Sequence, residues 1–330
     1  KIIGLGTVID ILLMRTRPAV ATNPPFRKNV PPSFFRPLSS IPRGGAGAGT
    51  DSRDSSTGEV SRTMYDAQAS NWSRTEPRCL SDFTGRPVVF SLLGPHLPAA
   101  SVLDVGCGEG YCARKVREMG ASAVVGCDVS EEMVRCAGEA AGEDDGGAFR
   151  YYASSCLDLL EGLEAERRRK EEEEGRDGRK VAKIPEEFDV AMAVFLFNYL
   201  TTEEMGSTIR QIHRALRPGG ILVFSVPHPS MIYCHEEGAT FRLESDGMGY
   251  FSSRNAKIPG QIRTVDGTVL NVMSVHKTLG DYFRAIREAD FEILEVEEAA
   301  VTEEHMEMHP EFFESVKDRP LHLVFKLKKN

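Results

Sequence analysis

The chain of 330 residues has no apolar run long enough to cross a bilayer. Its seven cysteines are odd in number and form no Cys-x-x-Cys pair, so neither a disulfide framework nor a structural zinc site is indicated. We expect free thiols in a reducing compartment. His235, Glu236 and Glu237 are consecutive, and three adjacent side chains cannot readily surround one ion. The sequence therefore predicts no metal.

Acidic residues outnumber basic ones outside the first part of the chain. The net charge is −9, with 49 Asp and Glu against 40 Lys and Arg, yet residues 1–50 hold seven Lys or Arg and a single acid, Asp10. Nucleic-acid binding rests on clustered Lys and Arg. The excess of acidic residues over 51–330 thus argues against a nucleic-acid partner and favours a small substrate. The oligomeric state stays open.

Residues 1–60 have the composition of a targeting segment. A short apolar run, 2–14, is followed by an Arg-, Pro- and Ser-containing stretch that ends in the glycine-rich run 44–49. Organellar transit peptides are rich in Arg and poor in acids. We therefore expect import into a mitochondrion or plastid, with a disordered extension that has no targeting role as the alternative. The chain does not begin with Met, and the position of the true start stays open.

The strongest pattern in the chain reads as a strand, a glycine turn and a helix. Gly106, Gly108 and Gly110 let the backbone pass close to a ligand, and the helix N-terminus offers unpaired N–H groups beside it. The dinucleotide fingerprint requires a third glycine at the position of Tyr111. Asp104 adds a negative charge that a pyrophosphate would not favour. The turn therefore favours a ligand with a cationic end.

An acid followed by Gly-x-Gly-x-Gly at the end of a first strand resembles the first motif of the class I S-adenosylmethionine-dependent methyltransferases. The resemblance extends from about residue 65 to the C-terminus. It implies S-adenosylmethionine as cofactor and in-line transfer of its methyl group. It also implies that the methionine part, whose amino group and sulfonium are cationic, is cradled by Asp104, Gly106, Cys107, Gly108 and Gly110.

Further cofactor contacts are expected after the second and third strands. Residues 122–128 read as a buried strand ending in Asp128, whose carboxylate is placed to accept hydrogen bonds from ribose hydroxyls. By the resemblance, Val129 lies against the adenine. Relatives often have an aspartate directly after the third strand, 149–153, to hold the adenine amino group. Here Ser155 and Asp158 are the candidates for that role.

Aromatic and amide side chains are expected around the rest of the pocket. Phe195 ends the fourth strand, and Asn198 and Tyr199 follow it; ligands of open α/β sheets bind outside the carboxyl ends of such strands. We assign Phe195 to the cofactor and the other two to the acceptor. In the family, the region that contains Tyr65 and Trp72 often folds over the pocket as a lid, although both could equally be packing residues.

Two insertions interrupt the expected fold. Residues 161–182 carry balanced charges without an apolar stripe, which is typical of a solvated helix extension or a disordered insertion. Residues 227–276 contain a hairpin signal around Asp266-Gly267, and we expect them to cap the acceptor pocket. His228 and His276 bracket the cap and are candidate general bases, because imidazole titrates near pH ~6.5. For each, a histidine bonded to the backbone is the alternative.

The sequence thus predicts an α/β methyltransferase domain over residues 61–330 behind a disordered N-terminal extension. Its Rossmann-like, seven-stranded sheet is flanked by helices, has an antiparallel last strand and carries a cap insertion after strand 5. The predicted reaction is methyl transfer to a small-molecule acceptor. A non-catalytic partner protein with this fold and a nucleotide-dependent oxidoreductase are the alternatives. The acceptor, and whether O, N, S or C is methylated, stay open.

Overall fold

In a computed structural model of the chain, the described residues are 57–67, 69–72, 74–142, 147–177 and 184–330. The prediction of a targeting or disordered segment over residues 1–60 lies outside this part of the chain, apart from residues 57–60, which begin the first helix. None of the helices in the described ranges is long and apolar enough to cross a membrane.

Ten strands form two sheets in the described part of the chain. In chain order they are β1 (Ser101–Val105), β2 (Ala123–Asp128), β3 (Phe149–Ala153), β4 (Phe188–Val194), β5 (Leu216–Pro227), β6 (Phe241–Leu243), β7 (Lys257–Arg263), β8 (Val269–Val275), β9 (Phe291–Ala299) and β10 (His322–Lys329). The large sheet has the order β3-β2-β1-β4-β5-β10-β9. Strands β1 to β5 are parallel, and β10 is antiparallel to both of its neighbours. The predicted seven-stranded sheet with a reversed last strand is confirmed.

The helices of the described part of the chain are α1 (Thr57–Asp66), α2 (Ala69–Trp72), α3 (Leu80–Phe83), α4 (Gly85–Leu93), α5 (Tyr111–Glu118), α6 (Glu131–Ala141), α7 (Leu159–Asp177), α8 (Thr202–Ala215), α9 (Leu279–Glu288), α10 (Glu303–Met308) and α11 (Pro310–Phe313). Adjacent residues of β1 point to opposite faces of the sheet. Val102 packs in the cluster that contains Val116 of α5, whereas Leu103 packs in the cluster that contains Ile209 of α8. Apolar layers therefore cover both faces of the sheet.

Local sequence explains where helices begin. The Ser130 hydroxyl accepts a hydrogen bond from the Met133 N–H and caps α6. Thr201 and Glu204 form a capping box at the start of α8. Of the two interpretations of residues 161–182, the structure shows a helix up to Asp177, and residues 178–183 lie outside the described ranges.

The cap is the small antiparallel sheet β6-β7-β8, inserted between β5 and α9. Strands β7 and β8 form the hairpin that Asp266-Gly267 predicts, and Gly267 adopts a φ of 85° in its turn. Leu243 and Ile258 of the cap pack with Phe313 and Leu321 in a third apolar cluster. The cap is thus anchored to the segment that leads into β10.

Candidate active site

One pocket collects most of the residues that the sequence singles out. It lies at the carboxyl ends of β1, β2 and β4, beside the N-terminal helices. Its wall includes the predicted cofactor residues Asp104, Gly106, Cys107, Gly108, Asp128, Val129, Ser155 and Phe195. It also includes the predicted lid and acceptor residues Tyr65, Trp72, Asn198 and Tyr199. Residues distant in sequence therefore share one site.

The glycine turn requires glycine for two different reasons. Gly106, Gly108 and Gly110 have φ values of 76°, 55° and 82°, a region that other L-residues rarely adopt. No atom lies within 4 Å of a Cβ built on Gly108, so the backbone there is open to the pocket. A Cβ on Gly110 would lie 2.9 Å from the Tyr151 hydroxyl. The space at its Cα is filled by packing and Gly110 does not line the pocket, so its contact with the cofactor stays a prediction.

Asp128 joins the glycine turn to β2. Its Oδ2 accepts a hydrogen bond from the Gly108 N–H and its Oδ1 accepts one from the Ser130 N–H, both at 3.0 Å. Burial raises the pKa of this carboxyl, and the backbone N–H groups of Ser130, Gly108 and Val129 oppose that rise. Two N–H donors therefore fix the orientation of the carboxylate at the pocket wall.

Asp104 is buried, and one oxygen of its carboxyl group has no hydrogen-bond partner among the described residues. Its side chain is at the pocket wall, the residue is 1% exposed, and the oxygen that makes no hydrogen bond with any residue that the structure describes is Oδ2. Burial and the nearby Asp128 charge raise its pKa to about 8. An unpaired buried carboxylate is costly, and a cationic ligand group would remove that cost. The residues present thus fit the amino group of S-adenosylmethionine.

The adenine end departs from the prediction at one residue. Val129, Met133, Ser155 and Leu157 line the pocket. Asp158 is exposed and lies outside the wall, because a 3-10 turn over Cys156–Asp158 carries it away. The assignment of the adenine amino group to Ser155 or Asp158 stays a prediction, and only Ser155 lines the pocket.

The lid residues contact the pocket wall that follows β4. The hydroxyls of Tyr65 and Tyr199 are hydrogen-bonded, and the two rings meet edge to face with centroids 5.6 Å apart. The Trp72 ring lies 5.7 Å from Tyr65. Asp66 also accepts a hydrogen bond from the Ser130 hydroxyl at 2.5 Å. Helix α1 is thus tied to the acceptor side by Tyr65 and to the cofactor side by Asp66.

An ion network at the wall could not be read from sequence spacing. Asp82 accepts hydrogen bonds from Arg74 at 3.0 Å and from Arg86 at 2.9 Å, and Glu109 accepts from Arg74 at 3.2 Å and from Arg114 at 2.7 Å. These partners come from separate elements, so no motif joins them. The network holds two arginines, Arg74 and Arg86, at the pocket wall.

The two predicted histidines lie elsewhere. His228 Nδ1 is hydrogen-bonded to Ser230, and its Nε2 lies 2.9 Å from the Glu298 carboxylate. His276 Nε2 is hydrogen-bonded to the Tyr250 carbonyl at 2.8 Å. Neither ring lines the pocket. Either histidine as general base stays a prediction, and in this structure both rings bond to residues outside the pocket wall.

A different histidine, His322, lines the pocket. It is the first residue of β10 and pairs with Pro227 at the end of β5. It lies far from every sequence motif, and only the reversed strand brings it to the site. Within the described residues, no three His, Cys, Asp or Glu side chains are placed to hold a metal ion.

Comparison with known proteins gives a consistent class. A family model described as a methyltransferase domain matches residues 103–222. The chain is 27% identical over 260 residues to an uncharacterized protein of Haemophilus influenzae, with 78% of this chain and 91% of the relative covered. It is 24% identical over 258 residues to N-demethylindolmycin N-methyltransferase of Streptomyces griseus, with 74% and 93% covered.

The chain is also similar to a solved structure of the same class. The S-adenosylmethionine-dependent methyltransferase from Mesorhizobium loti is 27% identical and superposes with a TM-score of 0.50, with 73% of this chain and 96% of that chain covered. The fold, the acidic glycine turn and the matched family model lead to one conclusion. The chain belongs to the class I S-adenosylmethionine-dependent methyltransferases, and S-adenosylmethionine is its cofactor.

Proposed function

We propose that this enzyme methylates a small organic molecule bound between the glycine turn and the cap. One observation carries the proposal: a single pocket has the Asp104 and Asp128 cradle at one side and apolar cap residues at the other. The apolar cap residues in its wall are Phe241, Leu243, Ile262, Val272 and Met273, and Ser274 adds a hydroxyl. Pockets for small ligands typically combine such apolar walls with a few polar groups.

The chain's own residues bind and enclose the reactants. S-adenosylmethionine supplies a sulfonium methyl group, and its transfer yields S-adenosylhomocysteine, the methylated acceptor and a proton. The Asp104 carboxylate would hold the cofactor's amino group, and Asp128 the ribose. Arg74 and Arg86, which line the pocket, would stabilise the carboxylate of the cofactor's methionine part. Tyr65 and Trp72 close the pocket from the lid side and exclude water.

Positioning accounts for most of the catalysis in this proposal. Holding two reactants in line can lower a barrier by about 7–11 kcal/mol, and lid and cap residues that line one pocket would serve that purpose. A small acceptor is supported by this enclosure and by the N-methyltransferase name of the Streptomyces griseus relative. The described pocket wall is largely apolar on the cap side, which favours an acceptor with an apolar body.

The proposal is tested with deuterium-labelled S-adenosylmethionine and a panel of small acceptors that carry amine, ring N–H, phenol, thiol or carboxylate groups. We expect labelled product and S-adenosylhomocysteine from at least one member. A matched pair of cap variants, Met273→Lys in the pocket wall and Val269→Lys on the exposed cap surface, should separate acceptor binding from cap folding. No product with any member of a broad panel would contradict the proposal.

A further inference from the structure

The tautomer of His322 follows from its neighbour. Thr84 Oγ1 donates its hydrogen bond to the Leu80 carbonyl at 2.9 Å, and it lies 2.9 Å from Nδ1 of His322. A hydroxyl has one hydrogen to donate. Because the Leu80 carbonyl takes that hydrogen, the Thr84 oxygen must accept from Nδ1–H. In a neutral imidazole the other nitrogen, Nε2, then carries a bare lone pair.

The surroundings keep this imidazole neutral. His322 is 6% exposed, and burial together with the Arg86 charge lowers its pKa to about 3, with Asp82 opposing and His228 adding to the shift. Arg86 and His322 both contact the Phe195 ring, at 5.2 and 4.9 Å from its centroid. A nearby guanidinium disfavours a second cation, so a charged ammonium group is a poor ligand for this corner of the pocket.

A second unpaired acceptor lies in the same pocket. Asn198 is 5% exposed, and its Oδ1 has no hydrogen-bond partner among the described residues. Asn198 follows β4, His322 lies beside the end of β5, and Asp104 belongs to β1. Since neighbouring strands are ~4.8 Å apart, β10 is about 14 Å from β1. His322 is therefore on the side of the pocket away from the Asp104 strand, and Asn198 follows β4, one of the two strands between them.

Resting on the proposed function, we propose that Nε2 of His322, with Asn198 Oδ1, accepts hydrogen bonds from the methyl acceptor, whose reactive group is an uncharged N–H or O–H. The hydrogen bond to Nε2 orients the reactive heteroatom so that its lone pair faces away from His322. A carboxylate has no hydrogen to donate, and its lone pairs would oppose those of Nε2 and Oδ1. The acceptor is therefore an uncharged amine, ring N–H or hydroxyl compound, and not a carboxylate.

The tautomer is measured by ¹⁵N NMR of histidine-labelled protein bound to S-adenosylhomocysteine, with the His322→Gln variant used to assign the signal. We expect a protonated Nδ1 and a bare Nε2, unchanged across neutral and mildly acidic pH. Thr84→Val should lose this preference, whereas Thr84→Ser, which retains the hydroxyl, should keep it. A protonated Nε2 in the unmodified enzyme would overturn the proposal.

The acceptor class is measured with matched compounds that carry hydroxyl, amino or carboxylate groups on one ring system. We expect turnover of the hydroxyl or amino members, and an acceptor KM raised about tenfold by Thr84→Val, the loss of one hydrogen bond, with unchanged S-adenosylmethionine affinity. Turnover confined to the carboxylates would overturn this inference and leave the proposed function standing. Turnover of no class would overturn both.

Discussion

The Gly108 N–H donates a hydrogen bond of 3.0 Å to Oδ2 of Asp128 and so joins the turn after β1 to the end of β2. Two residues that are separated by a whole helix in sequence therefore form one wall. The open space above Gly108 and the fixed carboxylate beside it face the same pocket. This contact is where the cofactor's ribose and methionine parts would be held together.

Replacing Asp128 should weaken cofactor binding. Asp128→Asn keeps the shape but removes the charge, and the loss of a charge-assisted hydrogen bond costs about 1.5–3 kcal/mol. The dissociation constant for S-adenosylmethionine should rise by about 10- to 100-fold in calorimetry. Asp158→Asn is the matched control and should bind normally, since Asp158 is exposed outside the pocket. Equal weakening by both variants would refute the assignment.

Removing the Tyr65 hydroxyl should loosen the lid. Tyr65→Phe leaves the buried Tyr199 hydroxyl without its partner on α1, at a cost of about 1 kcal/mol. Amide hydrogen exchange in α1 should accelerate about fivefold in the complex with S-adenosylhomocysteine. Tyr233→Phe, at a residue that is 55% exposed, should leave this exchange unchanged. Unchanged exchange in Tyr65→Phe would show that the hydroxyl pair does not hold the lid.

A methyl group added at Gly85 should disturb the acceptor side. A Cβ on Gly85 would lie 2.8 Å from Cζ of Phe195 and 3.1 Å from Cγ of His322. Overpacking of this kind costs about 1–3 kcal/mol, so Gly85→Ala should lower the melting temperature and raise the acceptor KM. Gly138→Ala is the control: no atom lies within 4 Å of its Cβ, and alanine within α6 should stabilise by about 0.5–1 kcal/mol. Equal melting temperatures for the two variants would contradict this packing.

The sequence predicted the strands of the sheet because buried strands are recognised from short-range patterns, and the predicted cofactor cradle rests on patterns of the same kind. Asp104, Gly108 and Asp128 lie at strand ends, where a few neighbouring residues determine the local geometry. The position of Asp158 could not be predicted, since a single 3-10 turn decides which way it faces. Gly110 has the positive φ expected of the motif. The Tyr151 side chain from β3 fills the space beside its Cα, which no local pattern indicates.

The acceptor side depended on long-range contacts that no local pattern contains. His322 reaches the pocket because β10 inserts in reverse beside β5, and the residue itself has no flanking motif. His228 and His276 seemed better candidates because they flank the cap in sequence. The structure places their rings against Glu298 and the Tyr250 carbonyl. Proximity in sequence to the cap was thus a poor guide to proximity to the pocket.

If Asp104 binds the cationic end of S-adenosylmethionine, binding should release a proton from its carboxyl group. Burial raises the pKa of Asp104 to about 8 in the ligand-free protein, so at about pH 7 the carboxyl is mostly protonated. A cationic ligand favours the ionised form and lowers that pKa, and binding must then release the proton.

Calorimetric titration with S-adenosylmethionine, repeated in two buffers of different ionisation enthalpy, measures this release. We expect that most of one proton is released at about pH 7 and that the release fades above the pKa of Asp104. Asp104→Asn should release correspondingly less and bind more weakly. Equal proton release by the enzyme and by Asp104→Asn, with undiminished affinity in the variant, would show that Asp104 does not bind the cationic group of the cofactor.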